Sequence, residues 1–135
     1  ISNMKLSSGG VTPLMEMWEL GISVGIGTDS VASNNNLDLF TEMKVCGLLH
    51  KHHRWDPKAA RVQDILDMAT IVGAKILGKE KEIGSLEPGK CADVITVPID
   101  EHLFPVASTN VISHLVYSTY GSQVADVIIN GVNVK

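Results

Sequence analysis

Asp29 closes the tripeptide Gly27-Thr28-Asp29, directly after the short apolar run Ile22-Ser23-Val24-Gly25-Ile26-Gly27, and it is the residue best placed to do chemistry. In parallel α/β folds, functional side chains gather beyond the C-terminal ends of strands, where loops surround a pocket. A carboxylate there can bind a hard or borderline metal ion and stays ionised beside it. Taken alone the pattern is common, and its first reading is a cap on the following turn. Ser33 offers a hydroxyl either to a pocket or to the turn ahead of the next helix. Asn34 and Asn35 read as turn residues, and Asn3 as a partner for loop backbone.

Other reactive side chains are less suited to a site. His50, His52 and His53 lack the i, i+4 spacing that sets two ligands on one helix face. With Lys51 and Arg54 they read as a solvated helix C-terminus that complements the dipole. His102 and His114 fall in the second half of the chain and read as structural. Cys46 and Cys91 form no C-x-x-C pair. Cys46 sits at a helical position and suits a core or a subunit contact better than a nucleophile. Two thiols without a disulfide framework point to a reducing compartment, so the cytoplasm is expected.

Composition narrows the class. With 135 residues, 44% hydrophobic and 19% charged, the chain is expected to be globular. A net charge of −4 argues against a nucleic-acid or anionic-membrane partner, which would need a basic face. No apolar run approaches the roughly 20 residues that cross a bilayer.

The elements that must position Asp29 read as follows. Thr12 is expected to cap a helix with Pro13 at its first position, Leu14, Met17 and Trp18 on one face, and Gly21 as its stop. The run from Ile22 to Gly27 suits a strand buried on both faces, as in a parallel sheet. A second helix is expected from about Leu37 to His53, with Leu37, Phe40, Val45, Leu48 and Leu49 inward and Asp38 in its first turn. Trp55-Asp56-Pro57 breaks the chain. A third helix follows from about Val62 to Leu77, with Val62, Ile65, Leu66, Ala69 and Val72 on one side. After Lys81 the character changes: Glu87-Pro88-Gly89-Lys90 is a turn, Asp93 to Val97 a strand, and Val124 to Ile129 another. Asn130-Gly131 is the hairpin dipeptide leading into residues 132–134. Leu103 to Tyr120 reads as ambiguous.

Three separated segments, in order, resemble the amidohydrolase superfamily and within it the aminohydrolases of adenosine-type compounds. Ser2-Asn3-Met4-Lys5-Leu6-Ser7-Ser8-Gly9 is similar to the loop after barrel strand seven. Gly27-Thr28-Asp29-Ser30, with Ala32-Ser33-Asn34-Asn35, Leu37-Asp38 and Glu42-Met43, resembles the end of strand eight, its loop and the next helix. Ile83 to Lys90 followed by Ala92-Asp93-Val94 is similar to the return of such chains into a small β-sandwich, and His114 to Tyr117 and the Val127 to Gly131 hairpin fit that tail. The resemblance covers essentially all 135 residues.

It implies an α/β fold: the C-terminal part of a (β/α)8 TIM barrel over residues 1–80, about strand eight with flanking helices, then an incomplete β-sandwich tail over 81–135. It also implies one divalent metal ion, zinc or iron, held by histidines of other barrel strands and by a strand-eight Asp, matched here by Asp29. That residue would be both metal ligand and catalytic carboxylate, and Ser33 matches a loop serine that lines the substrate pocket. The implied reaction is hydrolytic deamination of methylthioadenosine or S-adenosylhomocysteine. Guanine or cytosine deamination, triazine dechlorination, or a non-catalytic assembly module are the alternatives. The substrate would be a purine nucleoside or a related heterocycle. The metal-holding histidines and the family's proton-transfer Glu and His have no match in this chain.

A chain that opens on Ile1 rather than Met is expected to be a piece of such a hydrolase, itself inactive and not necessarily retaining the metal. An eight-stranded barrel takes about 250 residues. A lone parallel strand leaves its peptide groups and the apolar helix faces uncovered. Either the piece lacks its partners or it assembles with other copies into an intimate or swapped homo-oligomer; a compact, cooperatively folding monomer on size-exclusion chromatography is the result that contradicts this expectation.

Overall fold

A computed structural model of the chain describes residues 1–6, 9–99 and 110–135. Helices come first: α1 (Ser2–Leu6), α2 (Leu14–Glu19), α3 (Val31–Asn34), α4 (Leu39–Arg54), α5 (Val62–Ala69) and α6 (Ile71–Ile76). Strand β1 (Val94–Thr96), helix α7 (Val111–Tyr117), a 3₁₀ turn at Gly121–Gln123, and strands β2 (Asp126–Ile129) and β3 (Val132–Asn133) complete it. The first segment, expected as a loop, is thus helical over Ser2–Leu6, where it packs on α3.

Helices α4, α5 and α7 pack pairwise around Met43, Ile65, Met68 and Val116, and Leu14 of α2 closes the same core. Ile65 and Val116 are fully buried, and each such side chain contributes on the order of 1.5–3 kcal/mol. The ambiguous stretch before Tyr120 therefore supplies a helix to the helical layer: α7 belongs with α4 and α5, and His114 lies on it. His102 lies outside the described residues.

Helix α4 begins two residues later than the sequence suggests, because Asp38 is its N-cap. Asp38 Oδ1 accepts from the backbone nitrogens of Phe40 (2.9 Å) and Thr41 (3.4 Å). Its Oδ2 accepts from the Thr41 hydroxyl and from Gly121 N at 3.0 Å, which ties α4 to the turn that feeds β2. A Cβ on Gly121 would stand 3.1 Å from that carboxylate, so glycine is what permits the approach. Trp55 ends the helix in the left-handed region at φ 54°.

The inward face of α4 is only partly the expected apolar one. Phe40 packs against the core as expected and Val45 and Leu49 are half-buried, but Glu42, Met43, Gly47 and His50 are the buried residues, and Leu37 and Leu48 are exposed. Two ionisable residues and a glycine share the inward stripe, so hydrophobicity alone gives that face only in part.

The expected third helix is broken at Thr70 (φ −128°, ψ −101°) into α5 and α6. The Thr70 hydroxyl donates to Leu66 O at 2.7 Å, and Met68 O accepts from Ile26 N (3.3 Å) instead of continuing the helix. Gly84, at φ 92°, fits against this break: a Cβ there would lie 2.7 Å from Ala74 Cβ.

Near the first helix, Gly21 acts as the stop, at φ 73° with its N–H on Trp18 O. Thr12 does not cap: Pro13 takes the N-cap place, and no side chain caps that end. Residues 22–27 form no strand ladder and are exposed at Ile22, Ser23, Gly25 and Gly27. A strand buried on both faces needs neighbours on both edges, and none pairs with it among the described residues.

Local turn chemistry is as expected in the tail. Gly89 has φ 94° and Lys90 N donates to Glu87 O, closing the turn. Asn130 and Gly131, both at positive φ, join β2 to β3, and β1 pairs antiparallel with β2 through Val94 and Ile128.

Burial alone would raise the Asp38 pKa, but the bonds from Gly121 N, the Thr41 hydroxyl and the Thr41 and Phe40 nitrogens outweigh it and hold the carboxyl below 3.8. Its stabilising contribution is present above pH 3.8 and is lost as pH falls through the lower, folded value. Asp38→Ala removes the cap and leaves Gly121 N unpaired, so the urea midpoint should fall by an amount equivalent to about 2 kcal/mol.

Candidate functional site

Asp29 ends the extended run and stands in the left-handed region at φ 60°. A non-glycine residue is held there at a cost of order 1 kcal/mol, and such strain gathers at functional positions. Its side chain is exposed. Oδ1 accepts from Ser30 N at 2.6 Å, so the turn-cap reading is realised at one oxygen. Oδ2 accepts no hydrogen bond among the described residues. A cavity of about 410 Å³ lies by the start of the extended run, lined by Trp18, Ile22, Val24, Arg61, Asp64 and Asp67, and Asp29 is not among its lining residues.

Ser33 is half-buried in α3, not in the turn before α4. Its hydroxyl donates to Ser30 O at 3.1 Å and lies 3.0 Å from Ser2 Oγ and 3.3 Å from Ser30 Oγ. The single hydroxyl proton is therefore committed, and toward a ligand Ser33 could act only as an acceptor. Asn35 does serve as a turn residue, capping α3 at φ 66° and accepting from Lys5 Nζ.

Asn34 departs from expectation. It is 4% exposed, and Nδ2 donates to Thr28 O (2.5 Å) and to Glu42 Oε1 (2.6 Å). Glu42 is itself buried, and its Oε2 lies 3.1 Å from the Ile1 nitrogen. This pair was not singled out by residue type. The available signal was the charged Glu42 beside buried Met43 on the inward stripe of α4.

The histidine cluster splits. His52 and His53 are exposed at the end of α4, but His50 is 5% exposed, not solvated. It falls one turn before the helix end, on the inward stripe of Met43 and Gly47. Burial, and then the neighbouring His53 and Arg54 charges, push its pKa below 6.5, with Glu16 acting weakly in the opposite sense. Cys46 packs against the core, and burial drives its thiol up to about 11, which rules out a resting thiolate nucleophile.

No group of three or more His, Cys, Asp or Glu among the described residues is arranged to hold a metal ion. Asp29, exposed and with one carboxylate oxygen uncommitted, fits a single ligand. It does not make a centre by itself.

Comparison with known proteins places this geometry. The amidohydrolase family model matches residues 1–134, and the chain belongs to that family. It is 50% identical over 135 residues to a 5-methylthioadenosine/S-adenosylhomocysteine deaminase of Bacillus cereus, covering 98% of this chain and 30% of the relative. It is also 50% identical over 132 residues to a 5'-deoxyadenosine deaminase of Methanosarcina barkeri, covering 97% of this chain and 29% of that protein. The structure is similar to an adenosine deaminase from Xanthomonas campestris with bound zinc, at TM-score 0.89 and 38% identity over 98% of this chain and 30% of that one. An atrazine chlorohydrolase from Arthrobacter aurescens complexed with zinc is similar at TM-score 0.79 and 26% identity, over 98% of this chain and 29% of that one. The chain thus spans about 30% of the length of the relatives it matches.

A histidine kept neutral by burial is stabilising above its unfolded pKa of about 6.5 and loses that contribution as pH falls below it. Between pH 7.5 and 5.5 the melting temperature should therefore drop, and His50→Gln should flatten that drop. An equal acid loss in wild type and variant would remove His50 as its cause.

Proposed function

We propose that the chain is the C-terminal portion of a metal-dependent aminohydrolase that deaminates adenosine-type nucleosides, with methylthioadenosine and S-adenosylhomocysteine as leading substrates. The single observation that carries this is the strained, exposed carboxylate of Asp29 at the end of the extended run. The 50% identity to deaminases of this type supports the substrate class. Residues 1–80 would form the end of the barrel, with 22–28 as its eighth strand; within 81–135, β1 to β3 would form a share of the β-sandwich, while α7 would belong with the barrel helices α4 and α5, on which it packs. Paired with neighbouring strands, residues 22–28 would gain the ladder that they lack here.

The cation would be zinc, in keeping with the zinc-bound structures that this chain resembles, or iron. When bound, it brings a water molecule's pKa towards about 7. Asp29 would contribute an anionic ligand through its uncommitted Oδ2. The carboxylate would also take the proton released by the attacking water, since Oδ1 keeps a lone pair beyond its bond to Ser30 N. That proton would pass to the departing amino nitrogen, which leaves as ammonia while the ring carbon gains oxygen. Ser33 would line the pocket as an acceptor.

Alone, the chain would be inactive, because one carboxylate holds a catalytic metal weakly. The full protein would work as a homo-oligomer in the cytoplasm; Cys46 and Cys91 are free thiols, and no described helix is long and apolar enough to cross a membrane.

In the full-length protein, Asp29→Ala should bring ammonia release from methylthioadenosine and S-adenosylhomocysteine to background and lower bound zinc, with the circular-dichroism spectrum unchanged. Turnover that survives the substitution removes Asp29 from the mechanism. Faster ammonia release from guanine, or chloride release from a chlorinated triazine, would shift the substrate class.

A further inference from the structure

Asn34 is buried while its neighbours Ala32 and Asn35 are exposed. Both protons of its amide are used, one on Thr28 O and one on Glu42 Oε1. Each partner only accepts, so the amide has one workable orientation: reversing it would set its oxygen against two others. Its Oδ1 is buried without a partner among the described residues. An unpaired buried acceptor is unfavourable, so what this side chain contributes lies in its two donated bonds.

Thr28 O belongs to the peptide that carries the Asp29 nitrogen. Fixing that oxygen fixes the plane of the peptide, and with it the backbone from which the Asp29 side chain leaves at φ 60°. Glu42 anchors the donor from the first turn of α4, the end where a carboxylate is favoured by the helix dipole. A second thread reaches the other side of Asp29. Ser2 Oγ meets Ser33 Oγ, Ser33 holds Ser30 O, and Ser30 N donates to Asp29 Oδ1.

We propose that Asn34, anchored by Glu42, is a positioning residue that locks the Thr28–Asp29 peptide and so aims the Asp29 carboxylate at the cation. This rests on Asp29 being a metal ligand, and it assigns neither Asn34 nor Glu42 any contact with metal or substrate. Loss of a residue that orients a ligand typically weakens metal affinity or activity by about 10- to 100-fold.

The test uses the full-length zinc protein, with zinc affinity measured by competition against a chromophoric chelator, alongside steady-state kinetics and the melting temperature of the metal-free form. Asn34→Ala should weaken zinc binding and lower kcat by about 10-fold or more, with KM for the nucleoside within about 2-fold. Glu42→Gln keeps an oxygen opposite Nδ2 and should weaken both less than Glu42→Ala does; an equal loss in the two variants would overturn the anchoring role. Glu42→Ala removes the anchor and should follow Asn34→Ala in direction. A fall in melting temperature with unchanged zinc affinity and kcat would show a merely structural role and overturn the proposal. If Asn34→Ala does not fold, Glu42→Ala decides: unchanged zinc affinity there overturns it equally. Asp29→Ala is run in parallel. Zinc binding and turnover that survive it sink the metal-ligand reading; their loss there but not in Asn34→Ala sinks only this inference.

Discussion

Peptide groups in an extended segment point sideways and must find partners on a neighbouring strand or in water. Residues 22–28 live under that constraint. They are held at Ile22 by Met17 O, at Ile26 through Met68 O and at Thr28 by the Asn34 amide. The break between α5 and α6 follows from it, because the carbonyl that Ile26 uses is one a continuous helix would have kept. So does the exposure of apolar Ile22, a side chain that a packed sheet would cover. A chain that spans about 30% of its relatives' length, and carries an extended segment with no ladder, is consistent with an element whose partners belong to a larger assembly.

What the sequence made legible was local. Asn130-Gly131, Glu87 to Lys90 and Gly21 are set by the backbone preferences of a few adjacent residues, and the structure repeats them; the break at Trp55-Asp56-Pro57 was legible too, but not the left-handed conformation of Trp55 that ends the helix. The position of Asp29 at the end of an apolar run was legible for the same reason, and so was its partial use as a turn cap. What could not be read depended on distant partners. Asp38 looked like a dipole-complementing residue in a first turn; it is the N-cap through the nearby Phe40 and Thr41 nitrogens, and only its further bond from Gly121 N depends on a partner far along the chain. His50 resembled its exposed neighbours His52 and His53, and only the packing of α4 on α5 and α7 separates them. Asn34 carried the composition of a turn, and its burial becomes visible only once Glu42 is seen to face inward.

The balance of energies around Asn34 and Glu42 favours geometry over stability. A buried carboxylate is costly unless hydrogen-bonded, and a buried amide with one idle acceptor costs on the order of 1–3 kcal/mol. Apolar residues of similar size at both positions would relieve those costs. They would also free the Thr28–Asp29 peptide to leave the left-handed region, where a non-glycine residue sits at a disadvantage of order 1 kcal/mol. The bonds present oppose that relaxation from both sides of Asp29.

A metal ligand gains little from such rigidity unless the direction of its oxygen matters more than its charge. A flexible exposed Asp would still attract a cation, but it would lose side-chain entropy on each binding event and would not return the same oxygen to the same place. A carboxylate that must both hold a cation and take a proton has to keep its two oxygens distinct. In this structure they already differ: Oδ1 is engaged by Ser30 N, and Oδ2 is open. Holding the backbone on one side through Asn34 and the side chain on the other through Ser30 preserves that difference without any side chain having to touch Oδ2. The asymmetry is therefore a property of the loop itself, set by its own hydrogen bonds.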